Sequence, residues 1–526
     1  MKSTLMRISL ILLFLLPTSS ILAAESKTFI REYSYQASEL DSKVSCRVIA
    51  LEQVKRLLLE EAGTYLESET EVRNYRLTKD QITILTAGVV RTELLNEKWD
   101  GKTYYIQARL AINPKEVGQS IDKLRQDKQK TKELEESKKK VNELLQKIDE
   151  LKKKVPSTKV TQSKSIPYMK AVDKLRAIEL CERATSLRLS NPLTFKTEEA
   201  IELYSEAIAL DQNFIDPYYW RANQYAYEGI KVNYINNDQA LTFYRKALKD
   251  YDKIVHLKPQ NYFYAWALSG RGDVYQQLGD YKRAIKDYSE AIRRERKNAK
   301  HYDGRSESYK SIGEYEKAIA DITKAIELTS NYPEFNWTSS IVNESRILNR
   351  ADIASKAKMY KEAVADYSMI IRNMESSKKD YLIDKFWSSR EGDFEKIKLS
   401  AIENKKNDQC KLSNIYFNRG HVYATLGIQK KAIFDFTKSI DICRNVLALL
   451  GRGKLHVDED KYALAVNDYS SAIEMNATMA DAYHGRGYAR IKLGQREQGI
   501  EDMKIAAKLN FKPAQDHLIS KGIPWK

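Results

Sequence analysis

Proline and glycine are scarce, 10 and 20 in 526 residues. That scarcity argues against a β-sandwich or a collagen-like chain, both of which depend on these residues at turns or in repeats. Cysteine stands only at Cys46, Cys181, Cys410 and Cys443, with no C-x-x-C pair and no metal-ligand spacing. The histidines, His256, His301, His421, His456, His484 and His517, are scattered and fall at different positions of the pattern described below. No G-x-x-x-x-G-K-[ST], G-x-S-x-G or H-E-x-x-H occurs, and no glycine-rich loop follows a strand. The expectation is a chain without catalytic activity, cofactor or metal.

Long apolar runs are also missing. Ile8 to Leu16 form a short apolar core, well below the ~20 residues of a spanning helix. Lys2 and Arg7 precede it, Pro17 to Ser20 break it, and Ala23-Ala24 offers small residues for cleavage. This order reads as a signal peptide over residues 1–24, with an uncleaved N-terminal anchor as the alternative. The first cysteine is Cys46, so no lipid-accepting cysteine follows the run. A periplasmic or secreted chain with no integral membrane segment after cleavage is expected.

Charged residues make up 30% of the chain and the net charge is +16. The composition is that of long helices. Between Ile121 and Ser165 stand 14 Lys+Arg against 8 Asp+Glu and no aromatic. A nucleic-acid surface would need cations on a folded face with aromatics to stack on bases, so this run reads as a solvated helix and no nucleic-acid partner is expected. Attraction to an acidic membrane surface or partner is the other reading.

Residues 26–115 mix strand and helix signals. Thr28 to Ala37 alternates like a strand, Ser42 to Tyr65 has helical spacing, and Thr78 with Gln81 marks a helix start. Val89 to Asn96 and Thr103 to Ile112 flank Asp100-Gly101, a hairpin signal. The order β-α-(β)-α-β-β predicts a small α+β domain. On that order and the K-W-D-G-K-T-Y-Y hairpin it is similar to small domains near the start of bacterial flagellar-assembly and surface-lipoprotein families. Residues 116–155 predict a long charged helix. Leu134, Val141, Leu144, Ile148, Leu151 and Val155 fall on an a/d seam of about three heptads. Self-association through residues 134–155 is one expectation and a lone spacer helix the other. A linker is expected over 156–167.

From Tyr168 onward the chain repeats. Gly272, Gly420, Gly453 and Gly487 share a register with Ser306 and Ala351, and Ala284, Ala318, Ala363, Ala432, Ala465 and Gly499 stand twelve residues on. Sixteen residues after the glycines stand Tyr288, Phe436, Tyr469 and Met503. Gly270 to Ile292, G-R-G-D-V-Y-Q-Q-L-G-D-Y-K-R-A-I-K-D-Y-S-E-A-I, resembles the tetratricopeptide repeat almost throughout. The resemblance implies about eight repeats over 168–511, degenerate or inserted near 228–240 and 375–409, and a capping helix in 512–526. It implies a mainly α fold, a right-handed α-solenoid whose groove binds peptides or protein segments.

Two sets of residues stand out. Arg271, Arg305, Arg350, Arg419, Arg452 and Arg486 share the position before the small residue, and Arg221 fits the same series. Asp287, Asp321, Asp366, Asp435, Asp468 and Asp502 share the position before the aromatic site, which holds isoleucine or methionine in two copies. The pairing predicts a structural ion-pair ladder, within a repeat or between neighbours; an arginine row gripping an acidic ligand is the alternative. Groove positions on the first helices carry Trp266, Asp273, Gln276, Lys300, Asp303, Glu307, Lys310, Asp352, Asn414, Phe417, His421, Lys454, His484 and Tyr488. Of these, Trp266, Phe417 and Tyr488 have the chemistry of binding hot spots. Cys410 and Cys443 lie at adjacent ends of one predicted hairpin, where either a disulfide or two free thiols could stand. The function expected is a protein-binding scaffold of the bacterial envelope or secretion space. A self-associating structural multimer and a peptidoglycan- or carbohydrate-binding protein are the competing readings.

Overall fold

The computed structural model describes residues 26–69, 77–126, 128–154, 162–190, 197–233, 235–330, 338–376 and 394–525. The expected signal peptide lies outside them. The chain divides into two compact units, residues 1–228 and 229–526.

The first unit begins with β1 (Lys27–Gln36), α1 (Lys43–Ser68), α2 (Lys79–Ala87), β2 (Thr92–Trp99) and β3 (Thr103–Ile112). The strands form an antiparallel sheet in the order β1-β3-β2. Ser42 caps α1 in a capping box with Ser45, and Thr78 caps α2 in another with Gln81. The β2–β3 turn needs a positive φ, which Gly101 supplies at +98°, while the Asp100 carboxylate accepts from the Lys102 and Thr103 amides. β3 alternates strictly: Tyr104, Ile106, Ala108, Leu110 and Ile112 are buried, and α1 packs against the sheet.

After the sheet come α3 (Pro114–Gln126), α4 (Lys128–Lys153), α5 (Gln162–Ser190), α6 (Thr197–Leu210) and α7 (Ile215–Asn233). Here the structure corrects two expectations. α4 is neither a free spacer nor a coiled-coil partner. Leu144, Leu145 and Ile148 are buried in the core that also holds the sheet, α1 and α5, with Val141 and Leu151 packed against it. An a/d stripe records only that one face of a helix is buried; here the burying surface belongs to the same chain. The linker is also shorter than expected, because α5 already begins at Gln162. The hairpin of α5 and α6, which continues the repeat pattern in sequence, shares this core.

One carboxylate ties these pieces together. The Asp41 side chain is fully buried, in the loop between β1 and α1. It accepts from the Ser38 amide and hydroxyl, from the Ser45 hydroxyl at 3.1 Å, and from Tyr35 and Tyr168. Lys152 of α4 lies 3.4 Å away and also donates to the Tyr35 hydroxyl at 2.6 Å. Burial alone would raise the carboxyl, but donation from Tyr168 and Ser38 and the Lys152 charge outweigh it and hold Asp41 below its ordinary value.

The second unit contains α8 (Asn237–Leu257) and six helical hairpins: α9 (Phe263–Gln277) with α10 (Tyr281–Arg294), α11 (Ala299–Ser311) with α12 (Tyr315–Ser330), α13 (Thr338–Lys356) with α14 (Tyr360–Ser376), α15 (Phe394–Thr425) with α16 (Gln429–Ile442), α17 (Val446–Asp458) with α18 (Tyr462–Met475), and α19 (Ala480–Lys492) with α20 (Arg496–Lys508). The last helix, α21 (Lys512–Ser520), packs on α20 and buries Ala514 and Leu518. Each second helix also contacts the first helix of the next hairpin. Residues 394–409 continue α15 toward its N-terminus, and 377–393 lie outside the described residues. The α13–α14 hairpin packs directly on α15.

The stacking depends on one aromatic between two small residues. A Cβ on Gly272 would stand 3.0 Å from the Tyr288 ring of its own hairpin, and a Cβ on Gly304 would stand 2.5 Å from the same ring, reached from the next hairpin. The ring fills the gap only because both backbones come this close.

Replacing Asp41 by Asn should lower unfolding stability by about 3 kcal/mol, read from urea titration, because charge-assisted bonds are lost in a dry site. The pH dependence follows from the lowered native carboxyl. The stabilisation is complete above the unfolded aspartate value, near pH ~4, and is lost as pH falls through the native value. The Asn variant should show a flatter stability profile between about pH 2 and 5; a profile parallel to the parent would refute this role. Gly304→Ala should cost about 1–3 kcal/mol by overpacking against Tyr288.

Candidate protein-binding array

The arginine and aspartate series meet within each hairpin. In all six, the arginine Nε and Nη2 donate to the two carboxylate oxygens of the aspartate sixteen residues on, at 2.6–3.0 Å. Each first helix therefore grips its own second helix through a planar, bidentate pair. The aspartates Asp287, Asp321, Asp366, Asp435, Asp468 and Asp502 are all buried.

The remaining nitrogen makes a connection that sequence reading missed. Nη1 of Arg305, Arg350, Arg419, Arg452 and Arg486 donates to Ser289, Thr323, Ser368, Thr437 and Ser470 of the preceding hairpin, at 3.0–3.2 Å. Arg271 instead reaches Asp252 of α8 at 2.7 Å, and in the first unit Arg221 donates to Ser205. Each arginine thus fixes the fold of one hairpin and its register on the last. The signal was present as a hydroxyl two residues after each of five aspartates. The sixth, in α20, has Lys504 there, where no further arginine follows. Arg419 reaches Ser368 across 51 positions, which brings the α13–α14 hairpin directly against the α15–α16 hairpin.

Burial raises the Asp287 and Asp435 carboxyls above the ordinary range even with a guanidinium beside each, while the same contacts keep Arg271 and Arg419 charged against the effect of burial. In these two pairs the desolvation cost falls on the anion, which is how a buried ion pair can fix geometry while adding little stability.

The groove candidates separate into two groups. Between α9 and α14 they are engaged with one another. Asp273 accepts from the Tyr288 hydroxyl at 2.5 Å, and Asp352 from Tyr367 at 2.5 Å. The Gln276 amide donates to the Gly304 carbonyl and to Ser308. Asp303 is gripped by Arg346 of the next hairpin at 2.5–3.1 Å, and Lys310 bridges Glu307 and Asn349. Arg346 had no signal in a single-repeat reading, because its partner lies 43 residues away. Trp266 packs edge-on against Tyr262, and Lys300 is exposed.

Between α15 and α19 several candidates face solvent. Asn414, His421, Lys454 and Tyr488 are exposed, although Asn414 accepts a hydrogen bond from Asn445. Phe417 is half-buried, 5.9 Å from the Phe436 ring. His484 packs 5.1 Å from Phe511, where burial and then His517 lower its pKa. Cys410 and Cys443 are joined by a disulfide between α15 and the end of α16, while Cys46 and Cys181 are free and buried. Among the described residues no group of three or more His, Cys, Asp or Glu is arranged to hold a metal ion.

Family models of the tetratricopeptide repeat match residues 265–298, 302–332 and 413–446. These stretches are tetratricopeptide repeats. Over 109 residues the chain is 31% identical to Hsc70-interacting proteins 1 and 2 of Drosophila melanogaster, a stretch that covers 20% of this chain and 29% of each relative. The chain thus spans less than a third of those relatives. Among solved structures, it is similar to YrrB, described as a TPR protein with an unusual peptide-binding site: 17% identity, TM-score 0.31, covering 45% of this chain and 99% of that one. It is also similar to the C-terminal part of a TPR repeat-containing protein from Cytophaga hutchinsonii: 16% identity, TM-score 0.39, covering 59% and 97%.

Truncating Arg419 to Ala should destabilise the repeat unit by about 3–5 kcal/mol, because Asp435 is left buried and unpaired. Replacing both residues, Arg419→Met with Asp435→Leu, should recover most of that loss. Chemical denaturation of the three variants checks the pair; a double variant as unstable as the single would show that the ion pair itself supplies the stability.

Proposed function

We propose that this chain is a non-enzymatic scaffold of the bacterial envelope or secretion space that binds protein segments along its tetratricopeptide repeats. The observation that carries the reading is the exposure of His421, Lys454 and Tyr488 at equivalent places on three successive first helices, α15, α17 and α19, in a stack whose ladder arginines are already taken by their aspartates. A protein segment crossing these helices would meet one of these side chains on each. The α9–α14 stretch, where most polar candidates satisfy each other, serves as the rigid support.

Export is supported by the order of charges, apolar core and small residues over 1–24, and by the Cys410–Cys443 disulfide, which persists in an oxidising compartment. Among the described residues no helix is long and apolar enough to cross a membrane. The Drosophila relatives are named for an interaction with Hsc70; this chain shares with them a stretch of 109 residues, so the partner class carried over is a protein. Self-association through 134–155 is disfavoured because Leu144 and Ile148 of the seam are buried within the chain. The small α+β portion would serve assembly.

A photo-reactive residue at Tyr488 or His421, compared in cells with one at the exposed second-helix site Lys438, tests the reading. Discrete heterologous bands from Tyr488 and His421 alone are expected. Bands of equal strength from Lys438, or only self-crosslinks, would remove it.

A further inference from the structure

The junction of α8, α9 and α10 holds a cleft of about 640 Å³ that neither the repeat pattern nor the proposed groove explains. Its lining residues on α9, Tyr264, Leu268 and Arg271, lie on the face of that helix opposite the groove candidates Trp266 and Asp273. Val255, Tyr264 and Leu268 form an apolar wall. Five cations face two carboxylates around it. Three of the cations are already engaged: Arg271 with Asp287 and Asp252, and Arg293 and Arg294 with Glu290. The other two, Lys258 and Lys286, have ammonium groups with no hydrogen bond or ion pair to any described residue.

Neither lysine is required by the hairpin. The positions equivalent to Lys286 in the other five hairpins carry Ala320, Ala365, Phe434, Asn467 and Glu501. Those equivalent to Arg294, whose guanidinium lies 5.0 Å over the Tyr264 ring, carry Leu328, Asn373, Ile442, Met475 and Leu509. Lys258 caps α8 at φ 46°, ψ 56°, a left-handed conformation that favours glycine, and it does so directly before Pro259. The same left-handed backbone ends other helices of the chain, at Lys358, Asp460 and Asn510, so what sets Lys258 apart is its place beside a cleft with surplus positive charge.

We propose that this cleft binds a phosphomonoester carried on an apolar stem. Two unpaired ammonium groups match the two charges of the phosphate, and Arg294 on Tyr264 lies at the boundary between head and stem. The apolar wall takes the aliphatic or aromatic body, and the volume is that of a small-molecule site. The same chemistry is found in a free amphiphilic phosphate and in a lipid headgroup.

The test titrates hexyl phosphate, with hexanol as the uncharged control, into the full chain by calorimetry, and in parallel measures sedimentation with vesicles containing phosphatidic acid. The variants are Lys286→Gln and Lys258→Gly; the second removes the charge while easing the backbone, so its melting temperature should not fall. Saturable binding weakened at least tenfold by each variant, and absent for hexanol, is expected. Such binding of hexyl phosphate marks a free ligand, and the same dependence seen only with vesicles marks a headgroup. Absence of binding to either probe, or binding indifferent to both substitutions, would overturn the proposal.

Discussion

The repeat unit depends on the arginine before each small residue. Its guanidinium has three directions of donation, and each hairpin uses all of them: two to the aspartate on its own second helix, one backward to the preceding hairpin or, for Arg271, to α8. A lysine could not do this, because a point charge has no fixed fork. The residue that follows each aspartate, an aromatic in four hairpins and Ile322 or Met503 in the other two, is a large apolar side chain buried beside the pair, so polar register and apolar packing are set at adjacent positions of one second helix. Burying these charges is costly, and their contribution is therefore to the uniqueness of the stack. Such an array can hold exposed side chains at fixed spacing without a large single core.

The first unit solves a different problem. A small sheet with one helix across it buries too little to stand firmly, and here α4 and α5 complete the core. Asp41 shows how. Its donors come from the end of β1, the start of α1, and α5, with Lys152 of α4 beside them. β1 and α1 are neighbours in sequence and so are α4 and α5, but 127 residues separate Asp41 from Tyr168, and the carboxylate is satisfied only when both pairs are docked. The first helical hairpin, α5 with α6, is thereby built into the same core as the sheet.

How far the molecule was legible from its residues differs between the units. The tetratricopeptide pattern, the six hairpins and the identity of the ladder residues could be read directly, because each signal recurs at one spacing and every copy supports the others. The hairpin at Asp100-Gly101 and the caps at Ser42 and Thr78 were equally legible, being local hydrogen-bonding patterns. The seam on α4 left self-association and a lone spacer helix equally open, and in the structure Leu144, Leu145 and Ile148 are covered by the chain's own core. Periodicity reports which face of a helix is buried and is silent about what covers it.

What the sequence determined by itself was therefore periodic and local: repeat length, small and aromatic positions, caps and turns, and the charge pairing of arginine with aspartate. The tertiary structure alone decided that each pair closes within its hairpin, that the third nitrogen crosses to a hydroxyl of the preceding one, and that Asp303 is taken by Arg346 rather than left to a ligand. It also placed Asp41 at the junction of four elements and left Lys258 and Lys286 facing a cleft without partners. The physical reason is the same in each case. A hydrogen bond between residues distant in the chain forms only at a distance and angle that packing sets, and a linear pattern carries neither.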